Sequence, residues 1–420
     1  MARRKPISDL TSELPGEVKD RILEYLPTPD AARMALLSTY WKDAWLHHGQ
    51  LVFDSDFLES VYEYCDDEGI TYVNIINNIL FLRAGPVKKF TIKIRSAIDP
   101  PPEESDFERW CLFLSRNGVE ELNISLSSYV EYKLPFCLLS CRTIKQLIVQ
   151  APFIDLPVNA IGIFSNVTSL AFFAVTFKRI VNGIASSISI PKLEKLALED
   201  CDGINKFEIS PPKLEILSII GSMDDVVDSR WLAPHLKAIK TLWLCGTSLR
   251  YMDVSMFSTA INLQVMKLYE LSFGCGKQLT VAMQLLQKCP NLCELGIMVE
   301  DEQSACGDDK EVASRLLEDP DGCFVIQELK MLNTIKIESF RESALIMLFM
   351  KMLLSKSPAL ERVVILKPWD MNDSEVSKIL RKLECFPRAS PNAQIVCTGN
   401  YCCKFEYYER NEYLDLYPWF

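Results

Sequence analysis

The chain has 420 residues, 49% of them hydrophobic and 24% charged, with a formal net charge of −11 at pH 7. That balance is the one folded soluble chains carry, and the length suits about two to four structural units or one elongated repeat array. The acidic total argues against a nucleic-acid partner, since the one basic cluster is Arg3-Arg4-Lys5 and no basic stripe accompanies it.

Met1 to Leu10 has basic residues but no apolar stretch behind them, so no secretion signal is expected. The most apolar spans, 161–177 and 345–354, are interrupted by polar residues or short, against a need of roughly 20 residues for a membrane helix. No membrane association and a cytoplasmic and/or nuclear location are therefore expected. The 15 cysteines are scattered, form no CxxC pair, and have only His47, His48 and His235 to join them. They read as reduced thiols packed as small apolar groups, with no metal and no cofactor expected.

From Leu10 to Trp45 the punctuation predicts three short helices. Pro15 suits a first helical turn, and Val18, Ile22, Leu23 and Leu26 share one face at helical spacing. Pro27 and Pro29 stop that helix, Thr28 is placed to cap the next, and Ser38 to cap a third that presents Trp41 and Trp45. So small a bundle cannot bury all this apolar surface within itself. The stretch resembles the plant F-box in Leu14-Pro15, Ile22-Leu23, Leu26-Pro27, Ala32-Arg33, Leu37-Ser38 and Trp41-Lys42 through Trp45. It departs at Met34-Ala35, where the family more often has a small polar pair. The resemblance implies a surface for a Skp-type linker, and through it a cullin, built from Leu14, Pro15, Val18, Ile22, Leu23, Leu26, Pro27, Arg33, Leu36, Leu37 and Trp41.

From Val87 onward a phrase recurs: apolar, two residues, apolar, one residue, apolar. Val87/Phe90/Ile92, Leu193/Leu196/Leu198 and Ile239/Leu242/Leu244 are examples, and between Leu122 and Leu295 the central positions lie 21 to 29 residues apart. The period and phrase are those of leucine-rich repeats, here irregular. The last two apolar residues of each phrase fall on one side of a strand and point into a shared core. The alternate positions then face outward, where Phe173, Ile216, Ile220, Trp243, Val265, Tyr269 and Met298 form an expected exposed apolar patch for a protein substrate. Cover by the chain's own loop or tail, or a register slipped by one residue, are the competing explanations.

The spacing stretches to 40 residues between Leu295 and Ile335, through a polar insertion with six acidic residues between Glu300 and Glu311. Beyond it the pattern predicts strand, helix, strand, helix over 332–338, 343–354, 360–366 and 374–383. This stretch, ending in Phe386-Pro387-Arg388-Ala389-Ser390-Pro391, resembles the FBD domain that follows leucine-rich repeats in plant F-box proteins. The last twenty residues hold eight aromatics.

The expected fold is α/β: a small all-helical F-box (1–50), a helical connector (51–85), an irregular leucine-rich-repeat solenoid (86–324), an FBD cap (325–398) and an aromatic tail (399–420). The implied function is a non-catalytic substrate adaptor of a Skp–cullin–F-box ubiquitin ligase. A receptor whose substrate surface is completed by a small signalling molecule, and a scaffold outside any ligase, are the alternatives. No GxSxG elbow, HExxH helix or phosphate-cradling glycine loop is present.

Overall fold

Pro15 and Pro27 stand immediately before the first two helices, α1 (Gly16–Glu24) and α2 (Thr28–Met34). Helix α3 (Thr39–His47) follows, capped as expected by Ser38, whose side chain accepts from the Trp41 N–H at 3.3 Å. Thr28 does not cap α2. Its hydroxyl accepts from the Val52 N–H at 2.9 Å instead, tying α2 to the strand that follows the bundle. The structure is a computed structural model that describes residues 13–64, 71–94, 102–126, 132–150, 153–156, 162–179, 186–188, 190–202, 207–209, 213–221, 232–300, 328–368 and 370–398. Most of the acidic insertion and the aromatic tail lie outside these residues.

The chain divides into two units, residues 1–182 with 188–191 and residues 183–187 with 192–420. In the first, β1 (Gln50–Phe53), β2 (Lys89–Ile94), β3 (Glu121–Leu126) and β4 (Gln146–Gln150) run parallel and in register, followed in the sheet by β6 (Ser169–Phe173). Strands β5 (Phe153–Leu156) and β7 (Thr176–Arg179) pair separately. Helices α4 (Ser55–Tyr64), α5 (Tyr72–Phe81) and α6 (Glu104–Arg116) fill the connections.

Strand β1 corrects the expectation of a purely helical connector over 51–85. Leu51 pairs with Phe90 and Phe53 with Ile92, so the repeat sheet begins one strand earlier than the phrase suggests. The reason is the residue in the phrase's first slot. Where Val87 stands before Phe90, His48 stands before Leu51. It is buried like an apolar residue, with Nδ1 satisfied by Asp20 Oδ1 at 2.7 Å.

Past the short strand β8 (Ser186–Ile188), the second unit holds β9 (Lys195–Glu199), the short β10 (Phe207–Ile209), β11 (Ile216–Ile220), β12 (Thr241–Cys245), β13 (Val265–Leu271) and β14 (Glu294–Val299). The FBD-like stretch adds β15 (Thr334–Glu338), β16 (Arg362–Leu366) and β17 (Gln394–Thr398) to the same parallel sheet, with helices Ala344–Lys356 and Asp373–Glu384 between them. Asn372 and Glu375 form a capping box on the second of these helices. The buried stripe follows the phrase: Leu196, Leu217, Leu242, Met266, Leu295, Ile335 and Val363 are fully buried in successive strands.

Five strand ends share a device. Four residues after the central apolar position stand Ala174, Asp200, Gly221, Glu270 and Ser339, with φ of 50°, 51°, 72°, 50° and 55°. A left-handed residue turns the chain away from the strand direction, and at Glu270 it makes a bulge that shifts the β13–β14 register. Only glycine takes this conformation without strain. At Gly221 a Cβ would also lie 1.8 Å from Asp200 Oδ1. Gly221→Ala should therefore lower unfolding free energy by about 2 kcal/mol or more. Urea denaturation checks this, and a midpoint equal to the parent's would refute it.

Candidate functional site

Two surfaces were expected to act: the helical bundle and the outward face of the strands. In the bundle, Leu23 and Trp41 are each 1% exposed. They form the internal core where α1 and α2 meet α3, which corrects their assignment to the partner-facing surface. The buried Lys19 ammonium lies 5.2 Å from the Tyr40 ring centroid and 5.9 Å from that of Trp41, linking α1 to the start of α3.

The other residues divide by exposure. Leu14, Ile22 and Leu26 are half-buried, Pro15, Pro27 and Arg33 exposed, and Arg33 is paired with Asp30 at 2.5 Å. Val18 is 42% exposed, Leu36 85% and Leu37 60%. Tyr25 and Tyr40, which the sequence reasoning passed over, are exposed too. Their signal was present: Tyr25 lies seven residues after Val18, two helical turns along one face, and Tyr40 adjoins Trp41. Burying leucines exposed to this degree is worth roughly 1.5–3 kcal/mol each, a large unmet term for a soluble surface.

On the strands the predicted register holds, because Leu242 and Leu244 are fully buried while Trp243 lies between them on the other face. The predicted exposure does not hold. Phe173 in the first unit, and Ile220 and Trp243 in the second, are 2%, 4% and 4% exposed. These three are covered, not free, and Phe173 and Trp243 are engaged in further contacts. Ile216, Val265, Tyr269 and Met298 remain half-buried.

Trp243 is covered in part by a cation. The next strand places Lys267 opposite it, with Nζ 4.0 Å from the indole centroid. Gly296 stands opposite Lys267 on the following strand, where a Cβ would come within 3.0 Å of the lysine stem. The missing side chain gives that stem its room. Burial lowers the Lys267 pKa, which Glu294 opposes, and Lys336 adds a like-charge push downward. Lys336 is itself held by Glu294 at 2.7 Å. The face is thus an aromatic centre under alternating charges, not the open apolar patch expected. Among the described residues no group of three or more His, Cys, Asp or Glu could hold a metal, and no helix is long and apolar enough to cross a membrane.

Comparison with known proteins bears on both surfaces. The F-box domain model matches residues 11–51, and the model described as At1g61320/AtMIF1, LRR domain, matches residues 81–308. The chain is similar to F-box/FBD/LRR-repeat protein At1g13570 of Arabidopsis thaliana, 28% identical over 425 residues that cover 92% of this chain and 98% of that protein. F-box/LRR-repeat protein At3g03360 of the same plant is 25% identical over 303 residues, covering 69% of this chain and 59% of its own. F-box/LRR-repeat protein At4g14103, also from Arabidopsis thaliana, is 28% identical over 200 residues, 46% of this chain and 50% of that one.

The rim of the second face carries a titrating group. Asp200, after β9, has its pKa raised to about 6 by burial first, then by Glu270 and Asp202. A carboxyl whose folded pKa exceeds its unfolded value binds its proton more tightly when folded. Its stabilising contribution is complete below the unfolded value and is lost as pH rises through about 6. Asp200→Asn should melt higher than the parent at pH 7.5 and show a shallower fall in melting temperature between pH 5 and 7. Superimposable melting profiles of the two proteins over that range would count against it.

Proposed function

Since the chain belongs to the plant F-box/FBD/leucine-rich-repeat family, we propose that it is the substrate-recognition adaptor of a Skp–cullin–F-box ubiquitin ligase. The observation that carries this reading is the exposed apolar surface of Val18, Leu36, Leu37 and Tyr40 on the F-box bundle. Leu36 and Leu37 lie in the turn between α2 and α3, where nothing in the bundle's own core needs them. A partner that covers them recovers the burial the bundle forgoes. Leu14, Pro15, Ile22, Leu26, Pro27 and Arg33 complete the proposed linker surface, while Leu23 and Trp41 support it from within.

The substrate is a protein held by the leucine-rich repeats. In the second unit the proposed contact is the half-buried set Ile216, Val265, Tyr269 and Met298 around the Lys267-covered Trp243. Such a subunit acts by raising the effective concentration of a substrate lysine near the charged machinery, so it needs no acid, base or nucleophile of its own. The FBD stretch is read as the array's closing cap, since it carries the last strands of the sheet. A cytoplasmic or nuclear place of work belongs to the same reading.

The test is calorimetric titration of the purified chain with a Skp-type linker. Leu36→Asp combined with Leu37→Asp should weaken binding at least ~100-fold with the circular dichroism spectrum and melting unchanged. Leu23→Ala should instead destabilise the bundle by about 2–5 kcal/mol. Undiminished linker binding by the folded double variant would remove the proposed surface. A parent chain that binds no linker would favour a scaffold outside any ligase.

A further inference from the structure

The bundle and the opening strands meet at a charged cluster that the adaptor function does not by itself require. Helix α5 ends at Phe81, and the chain turns back so that the Ala84 and Gly85 N–H groups both donate to Leu46 O, at 3.0 and 3.2 Å. Gly85 passes so close that a Cβ would lie 2.9 Å from the His47 Cα. Between these contacts the Arg83 guanidinium lies over the Trp45 ring, 4.9 Å from its centroid, and donates through Nη2 to His48 O. Trp45 stacks on His48 at 26°, and His48 holds Asp20 of α1. Arg83 therefore touches α3 and the lead-in to β1, and stands within the field of an α1 carboxylate.

This is a costly way to fill space. Arg83 Nε and Nη1 are buried with no hydrogen-bond partner among the described residues. Burial lowers the guanidinium pKa to about 10, and Asp20 opposes the shift, so the group stays charged at neutral pH. An apolar side chain of equal length would occupy the site without two stranded donors. What only a planar cation supplies is direction: one face on an indole and one edge on a carbonyl, which together admit a single orientation.

We propose that Arg83 is a positioning residue that locks the F-box to the first repeat strands, so that a bound linker is presented at a fixed angle to β1–β3. The proposal rests on the adaptor reading only for what the F-box holds. The lock has further parts in the Thr28–Val52 bond and in the Lys88 and Lys89 N–H groups, which donate to Gly49 O at 2.8 and 2.9 Å.

The experiment uses the full chain, free and with a Skp-type linker, carrying dyes on non-natural residues at exposed Asp43 and Arg116. Single-molecule energy transfer should give one narrow distance population for the parent in both states. Arg83→Met should widen it at least about twofold, as expected of units without a fixing contact, and Arg83→Lys should restore part of the narrowing. Linker affinity should stay within about threefold of the parent, and Arg83→Met should melt no lower than the parent. A merely structural arginine would lose stability and leave the width unchanged. A population as narrow in Arg83→Met as in the parent overturns the proposal. Failure of the parent to bind linker would sink the adaptor reading alone, because the free chain's distance widths still judge Arg83.

Discussion

In each unit, successive parallel strands present two apolar side chains, two residues apart, to a core that no single strand can close. In the second unit Leu242 and Leu244 have neighbours Leu217 and Ile219 on one side and Met266 and Leu268 on the other, all with no more than 1% exposure. Each pair is buried only because the adjacent strand is in register, so a one-residue slip anywhere would turn a row of leucines outward. Parallel register is the constraint on which the remaining features rest. It fixes which side chains share the buried row and which alternate with them on the opposite face.

The two ends of the array resolve the constraint differently. At the start, the slot that calls for an apolar residue holds His48, buried and hydrogen-bonded to Asp20, so the helical bundle serves as the missing neighbour. At the far end, β17 has Ile395 and Cys397 opposite Val363 and Ile365, but both are only half-buried, as edge residues with a neighbour on one side must be. Two long helices accompany these last strands. Helix Ala344–Lys356 buries Phe349, Met350, Leu353 and Leu354, which adds to the core between β15 and β16.

How much of this was legible depends on what the signal required. The main-sheet strands between Val87 and Ile365 could be read because the apolar spacing is itself the packing rule, and the paired registers follow it apart from the bulge in β13. Strand β1 was not legible, because a histidine in the first slot hides the phrase unless its hydrogen-bond partner is known. Thr28 shows the same limit, since a threonine before a helix reads as a cap, and only the fold reveals that Val52 competes for its hydroxyl. The outward face was correct in direction and wrong in exposure. Periodicity assigns a side to Trp243 but says nothing of a lysine on the next strand whose stem lies beside a glycine.

The helical bundle illustrates why pattern and role separate. Leu23 and Trp41 match the family motif as well as Leu37 does, yet the first two are sealed inside and Leu37 stands open. On helix α1 the buried positions Lys19 and Leu23 are four apart and define one stripe, so Val18 and Tyr25 are carried to another side. A motif does not distinguish residues that hold a fold together from residues that stand on its surface. Burial separates them, and the separation matters for Arg83. Its guanidinium lies on Trp45, whose ring joins the bundle's core to His48 and so to the first strand. Trp45 is thus shared between the bundle's interior and the Arg83 contact, whereas Leu36 and Leu37 stay exposed.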